Sequence, residues 1–419
     1  MHSKLIFCQS GGNSADLINR SSRNREIICL VALLFIAFLV RMMLFSFQGN
    51  VYDLLTFGSW IGASTDHGLR TFYDRISWCD YPPFSIYILY GFGNLAKLLG
   101  LYNMSRIFDV IKLIPTLFDL ATSSIIYIFV RKQASFKLSL VATALYAFNP
   151  AVIFNGAIWG QLDAVYTFFI VLSLMLALKS KPKLSVAVLA LAILTKPQAI
   201  AIAPLIALLI YKKNGLKTLV FSLIIVALTV FVIILPFNWS NPAAFLSHIY
   251  LGAYGGFKFT SVNAFNLWGL VGFFVPDGGF FILGWALFGG LTVSVLYFLN
   301  KRFDAHDEVF IVFCAFMLVF GFFMLPTRIH ERYLFPAISL LVLTFPLLKK
   351  TRPVYAVLTG TLLLNLSYVL YFTNNSQSVP SRSWVDIAAI IINILTMAYA
   401  LVLMVGYAKK NQPKLKRQL

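Results

Sequence analysis

The sequence predicts an all-α polytopic membrane protein, a bundle of about twelve transmembrane helices with both termini cytoplasmic. Three observations lead there. Apolar residues make up 59% of the chain and charged residues only 12%, with a mean hydropathy of +0.82; soluble domains run near half and a quarter. Apolar stretches close to bilayer-crossing length recur from end to end. The net charge of +19 is carried by short basic clusters between those stretches, as in cytoplasmic loops, which argues against a nucleic-acid partner.

The four cysteines, Cys8, Cys29, Cys79 and Cys314, show neither disulfide nor metal-ligand spacing. Residues 1–25 are polar and include Arg20, Arg23 and Arg25 with no cleavage pattern, so they read as a cytoplasmic tail rather than a signal peptide. The first helix is expected over Ile27–Phe47, leaving the interval 48–106 outside. Within it, Pro82–Leu99 is short, Pro-initiated and followed by polar residues, the pattern of an interfacial or re-entrant helix.

Alternating crossings follow over Ile107–Val130, Leu138–Phe154, Ala164–Leu178, Leu184–Thr195, Ala199–Tyr211 and Leu219–Pro236, down to a second long outer interval, 237–280. The remaining crossings are Phe281–Leu299, Val309–Leu325, Tyr333–Leu348, Val354–Phe372 and Val385–Tyr407, with a basic tail over 408–419 that includes Lys416 and Arg417. Residues 26–407 thus form one membrane domain. Two crossings beside Lys196 are short, which sinks that turn below the outer surface.

This topology gathers polar residues at the outer face. The whole chain has 15 Asp and Glu, and four of them, Asp53, Asp66, Asp74 and Asp80, fall in the first outer interval. Ionisable side chains inside a bilayer are costly, so a face that collects both signs of charge points to a polar cavity; ordinary wetted loop ends are the plain alternative. Arg328, His330 and Arg332 share one outer turn and Lys196 stands at another, a cationic set suited to an anion such as phosphate. Anchoring of helices at the interface would use the same residues.

Asp80, Gln161, Asp163 and Gln198 carry the donors and acceptors that grip hydroxyls, although Asp80 also suits a cap on the helix starting at Pro82. Asn263 and Asn266, in Asn263-Ala-Phe-Asn266-Leu-Trp268, are candidates for an acceptor groove. Glu331 reads as a salt-bridge partner of the arginines, and Asp119, inside its helix, as a protonated group bonded to a neighbouring Ser or Thr. Asp53 sits at the start of a helix over Asp53–Ala63, where it also suits a cap.

Five motifs occur in order over about Tyr52–Pro336: Tyr52-Asp53 with Trp60, Asp80-Tyr81-Pro82-Pro83, Gly160-Gln161-Leu162-Asp163, Lys196-Pro197-Gln198 and Ile329-His330-Glu331-Arg332-Tyr333. Together they resemble the integral-membrane C-type glycosyltransferases that use polyprenyl-phosphate sugars. The nearest likeness is to prokaryotic proteins related to the glycosylphosphatidylinositol second-mannose mannosyltransferase. The resemblance implies inverting transfer of a hexose, mannose favoured, to an acceptor hydroxyl on a glycan, lipid-linked glycan or protein. It places the catalytic acid at Asp53, a general base for the acceptor, and the donor phosphate at His330.

No sugar nucleotide is involved, so no Gly-rich phosphate loop is needed. No paired-acid motif around Tyr52–Leu55 asks for a divalent ion, and no metal or other cofactor is expected. A prokaryotic cytoplasmic membrane is favoured, with the endoplasmic reticulum as the alternative. A transporter or flippase of lipid-linked sugars is the competing class; it would place its site at mid-membrane between paired halves.

Overall fold

The computed structural model describes residues 11–103, 106–305 and 307–410, with the backbone alone at 11–23, 253 and 410. Cys8, Lys416 and Arg417 lie outside the described residues, as do the side chains of Arg20 and Arg23. Among the described residues the chain is helical with no strand, only four isolated β-bridges. The first helices are α1 (Gly11–Leu44), α2 (Val51–His67), α3 (Phe72–Arg75), α4 (Pro83–Leu98) and α5 (Ile107–Arg131). Then come α6 (Phe136–Ala147), α7 (Pro150–Ile153), a π-turn over Phe154–Trp159, α8 (Asp163–Leu178) and α9 (Pro182–Ile193). A 3₁₀ turn, Pro197–Ile202, opens α10 (Ala203–Ile234). It is followed by α11 (Pro242–Gly255), α12 (Phe280–Lys301), α13 (Glu308–Met324), α14 (Phe335–Thr344), α15 (Arg352–Asn374) and α16 (Trp384–Lys410).

Six helical stretches are long and apolar enough to cross a membrane, within 24–44, 107–131, 197–234, 280–301, 349–374 and 384–409. A seventh is added if α6 and the following segment Pro150–Trp159, bent by 41°, count as one. Four shorter helices, α8, α9, α13 and α14, are also apolar. The protein is therefore an α-helical, multi-pass membrane protein. α4, expected at the interface, belongs to neither set.

Several boundaries differ from the sequence expectation, each for a local reason. α1 stops at Leu44 rather than Phe47, because Lys112 Nζ draws in the carbonyls of Phe45 (3.0 Å) and Phe47 (2.5 Å) beyond its end, a cation at a helix C-terminus. The single helix expected over Leu138–Phe154 breaks at Asn149-Pro150. Proline cannot donate to the preceding turn, and Asn149 Oδ1 caps the new start through the amides of Ala151 and Val152. The second outer interval contains α11, announced by the cap Asn241 and Pro242 at its first position. α2 begins at Val51 with Asn50 as its cap, not at Asp53.

α10 is two helices, broken at Gly215 (φ 84°, ψ 171°). Ser85 Oγ donates to the carbonyl of Thr195 (2.7 Å), and Tyr87 Oη, two residues on, donates to that of Ile233 (2.9 Å). An unbroken helix over that distance would span roughly 55 Å at 1.5 Å per residue, so the chain must reverse, and Gly215 supplies the left-handed backbone.

Side-chain bonds sort the loops into two ends. One collects Glu26 with Arg131, Gln133 with Glu308, Lys213 with the carbonyl of Leu178, and Arg302 with Asp307. Asp307 also caps α13, accepting from Phe310 N (3.1 Å). The other end joins Gly49 and Asn50 to Asn374 and Thr373, and contains the turns at Gln161, Lys196 and Arg328–Arg332. The bundle's centre is α13 and α14. Every residue of α14 is buried, and so is Phe310–Met324 of α13. Because α14 has only 10 residues, the turn that precedes it lies sunk within the protein.

Asp119 does not bond a neighbouring Ser or Thr as expected. Its carboxylate faces Arg41 of α1 (3.6 Å) and accepts from Tyr146 Oη (3.1 Å), all three side chains being buried. The pair ties α1, α5 and α6 together. Breaking a buried ion pair by removing one member costs about 3–5 kcal/mol, whereas replacing both by apolar groups is often neutral. Arg41→Met is expected to lower the thermal unfolding temperature in detergent strongly, and Arg41→Met with Asp119→Leu to restore most of it. Equal loss in both variants would show that the pair is not what holds these helices together.

Candidate active site

Asp53 lies in the first turn of α2, its amide taken by the cap Asn50 Oδ1 (3.0 Å). The Asp53 side chain is therefore free of the capping role. Its Oδ2 accepts from Trp159 Nε1 (2.7 Å) and Gln161 Nε2 (2.5 Å). Gln161 Oε1 in turn accepts from Tyr81 Oη (3.4 Å). Tyr81 packs edge-on against Phe57 and tilted against Trp60, so α2 and the 78–82 segment are joined by one aromatic cluster.

A charge network follows on the far side of Tyr81. Lys196, 3% exposed, lies over the Tyr81 ring (5.0 Å) and pairs with Asp163 Oδ1 (2.7 Å) at the start of α8. Asp163 Oδ2 accepts from Asn155 (3.3 Å) and stands 3.9 Å from Arg332 Nε. Arg332 donates to Glu331 Oε1 (2.6 Å). Burial pushes the carboxyls of Asp80 and Glu331 up, against the attraction of Arg332. Burial also lowers Lys196, with Asp163 opposing and Arg332 reinforcing the shift.

Two of the expected phosphate-binding cations take other states. Burial, with the repulsion of Arg332 and Lys196, holds His330 well below the usual histidine range. That shift favours the neutral imidazole, a hydrogen-bonding group rather than a cation; the ring packs against Phe257 and Tyr333, with Nδ1 3.9 Å from Glu331 Oε2. Arg328 is matched by Asp277 (2.7 Å) and lies over the rings of Tyr254 and Phe281. It fastens the 258–277 loop to the 327–330 turn, where Arg328 N also bonds the Phe259 carbonyl and Val262 N that of Ile329. Asn266 belongs to this scaffold too. It is fully buried, caps Leu267–Leu270 and donates to Phe323, and it lines neither cavity at the site.

The two cavities meet at Asp80, Tyr81, Phe257, His330 and Arg332. One, of about 330 Å³, is an apolar cleft walled by Ile200, Tyr250, Leu251, Trp285 and Phe322, with Lys196 and Gln198 at its inner end. The other, of about 580 Å³, is lined by Asp53, Gln161, Asn263, Glu331 and the aromatic rings of Tyr52, Trp60 and Trp78. Asp80 caps no helix, since α4 has no side-chain cap. Among the described residues that line the two cavities, four have a buried polar atom with no hydrogen-bond partner: Asp80 Oδ1 and Arg332 Nε at the junction, Gln198 Oε1 in the cleft and Asn263 Oδ1 in the larger cavity. Three are acceptors, which hydroxyls or water would complete, and the fourth is a guanidinium N–H, which calls for an acceptor.

Of the residues singled out in the sequence, Asp53, Asp80, Lys196, Gln161, Gln198, Asn263, His330 and Arg332 line these cavities, with Asp163 directly behind; Arg328 stands at the rim of the apolar cleft and Asn266 stands apart. Trp159 and Asp277 were not legible as site residues. Pro276-Asp277-Gly278-Gly279 reads as turn chemistry, and Trp159 as one more apolar residue. Among the described residues, no three of His, Cys, Asp or Glu approach closely enough to share a metal ion. Comparison with protein-family models and with curated proteins found no match to this chain.

The state of His330 sets a pH dependence. Its folded value is depressed, so the unfolded chain binds the extra proton and stability falls as pH drops through the ordinary histidine range. Unfolding temperature is expected to fall more steeply between about pH 7 and 5 in the unmodified protein than in His330→Gln. Parallel curves would show that the imidazole keeps its ordinary value in the fold.

Proposed function

We propose that the chain is an inverting glycosyltransferase that moves a hexose, mannose favoured, from a polyprenyl-phosphate sugar to an acceptor hydroxyl at the outer membrane face. The four unpartnered atoms along the two adjoining cavities carry this reading. A molecule with hydroxyls beside an anionic group, such as a sugar phosphate, would satisfy them. The apolar cleft that opens from the junction, with exposed Ile200 and Leu251 along its wall, suits the isoprenoid chain of such a donor. The five ordered motifs add the likeness to C-type glycosyltransferases on which the same reading rests.

In this reading the acceptor enters the larger cavity. Asp53 takes the proton of its hydroxyl while that oxygen attacks the anomeric carbon. The bond from that carbon to the phosphate oxygen breaks on the opposite face, so configuration inverts, and the lipid phosphate leaves as an anion. Arg332 and Lys196 stabilise the charge that develops there, and neutral His330 contributes a hydrogen bond. Asp80, Gln198 and Asn263 hold hydroxyls of the sugars, and Gln161 orients Asp53.

The finer topology belongs to the same proposal. Counting the 197–234 stretch twice for its reversal at Gly215, the bent pair once and the four shorter helices gives twelve crossings. The basic end then faces the cytoplasm and the site faces out, in a prokaryotic cytoplasmic membrane.

The test is transfer in proteoliposomes from decaprenyl-phosphate mannose to a membrane glycolipid extract. Asp53→Asn is expected to lower turnover by about 10²–10⁴-fold while decaprenyl phosphate still binds, and excess chelator to leave turnover intact. Undiminished turnover in Asp53→Asn would remove Asp53 as the base. Transbilayer movement of the labelled lipid sugar without a new glycosidic bond would place the protein among transporters.

A further inference from the structure

We infer that Trp159 and Gln161, presented by the π-turn, form a clamp that fixes one oxygen of Asp53 and leaves the other, Oδ1, as the atom that receives the proton. The inference rests on the reading of Asp53 as a base and goes beyond it in naming the positioning residues and the reactive oxygen. Two side-chain donors, Trp159 Nε1 at 2.7 Å and Gln161 Nε2 at 2.5 Å, converge on Oδ2. A carboxylate with two donors on one oxygen is held in a single rotation. Its other oxygen stays available on the side of the 580 Å³ cavity that Asp53 lines.

The backbone shows how two residues so close in sequence reach one oxygen. Phe154–Trp159 is a π-turn, wider than an α-turn by one residue. It closes on Gly160 in the left-handed conformation (φ 93°), with the amide of Gln161 bonded to the carbonyl of Asn155 (3.0 Å). That reversal sends Trp159 and Gln161 to the same neighbour. The segment is pressed against the start of α2. The amide of Asn50 bonds the Trp159 carbonyl (3.1 Å), and a Cβ at Gly160 would stand 2.6 Å from Leu54 Cδ2. Leu54 is the residue after Asp53, so the clamp and the carboxylate are held in register by direct backbone packing.

The amide of Gln161 is also fixed in its orientation. Its oxygen accepts from Tyr81 Oη (3.4 Å), which leaves its NH₂ for Asp53. The same tyrosine ring lies beneath Lys196, so the clamp connects to the cationic side of the junction. The other charged or titratable groups that act on Asp53 are Arg332, Glu331, Asp80 and Tyr81. None of these donates a hydrogen bond to Oδ2.

Trp159→Phe and Gln161→Met each delete one donor while keeping bulk. Each is expected to lower turnover of decaprenyl-phosphate mannose on the order of 10–100-fold, with binding of decaprenyl phosphate unchanged. Each loss is expected in kcat with KM little changed, the split that a positioning residue gives. Gly160→Ala, which displaces the π-turn as a whole, is expected to combine the losses of the two single variants.

Carbodiimide labelling of Asp53 at fixed pH, mapped by mass spectrometry, reads how firmly the carboxylate is held without any turnover. Its rate is expected to rise in Trp159→Phe and in Gln161→Met, because a released carboxylate turns more freely toward the reagent. An unchanged rate in both would overturn the clamp even if transfer is observed. A raised rate in a protein that transfers no sugar would uphold the clamp and overturn the enzymatic reading instead.

Discussion

The arrangement at the site end depends on one guanidinium held inside a membrane bundle. Arg332 is nearly enclosed, and an uncompensated charge in that position is not sustainable. Its compensation organises the site. Glu331 meets it directly, Asp163 stands behind it and is shared with Lys196, and Asp53 and Tyr81 contribute at longer range. The same positive charge helps keep His330 neutral. Two of the nearby carboxyls, Asp80 and Glu331, are themselves pushed toward neutrality by burial. Among the described residues, Asp163 is the one carboxylate that both cations approach, 2.7 Å from Lys196 and 3.9 Å from Arg332.

The fold supplies this enclosure through short helices. α9 and α14, of 12 and 10 residues, are too short to span roughly 30 Å of hydrocarbon as straight helices. The turns at Lys196 and Arg328–Arg332 therefore lie sunk within the bundle, inside a wall formed by α2, α4 and the 258–277 loop. Irregular backbone at such depth is tolerated only where protein surrounds it or a polar cavity hydrates it. The bridges between Val262 or Asn263 and His330 meet that requirement. They also bring Asn263 to the cavity that Asp53 lines. The distances that matter for chemistry thus follow from the same packing that keeps water and lipid out of the turn.

Much of this was legible in the sequence because charge is scarce in it. With so few charged residues, the ones at crossing ends stand out, and Asp53, Asp80, Lys196, His330 and Arg332 emerge at one face from spacing alone. The structure does place them around two adjoining cavities. Other features were hidden for identifiable reasons. Arg41 and Lys112 sit within apolar runs, where nothing local distinguishes a buried ion pair or a helix-end cation from a loop boundary. The proton state of His330 depends on burial by elements distant in sequence. The donor role of Trp159 depends on a π-turn, a conformation without a periodic signature. Arg328 carried the right charge, but its partner Asp277 lay within what reads as an ordinary turn.

The most direct test is a structure of the Asp53→Asn protein with a decaprenyl-phosphate sugar bound. The account predicts the phosphate against Arg332 and Lys196, the isoprenoid in the cleft lined by Leu251 and Trp285, and the anomeric carbon open toward residue 53. A lipid phosphate seated at the opposite, basic end of the bundle, or a sugar whose anomeric carbon faces away from residue 53, would contradict it.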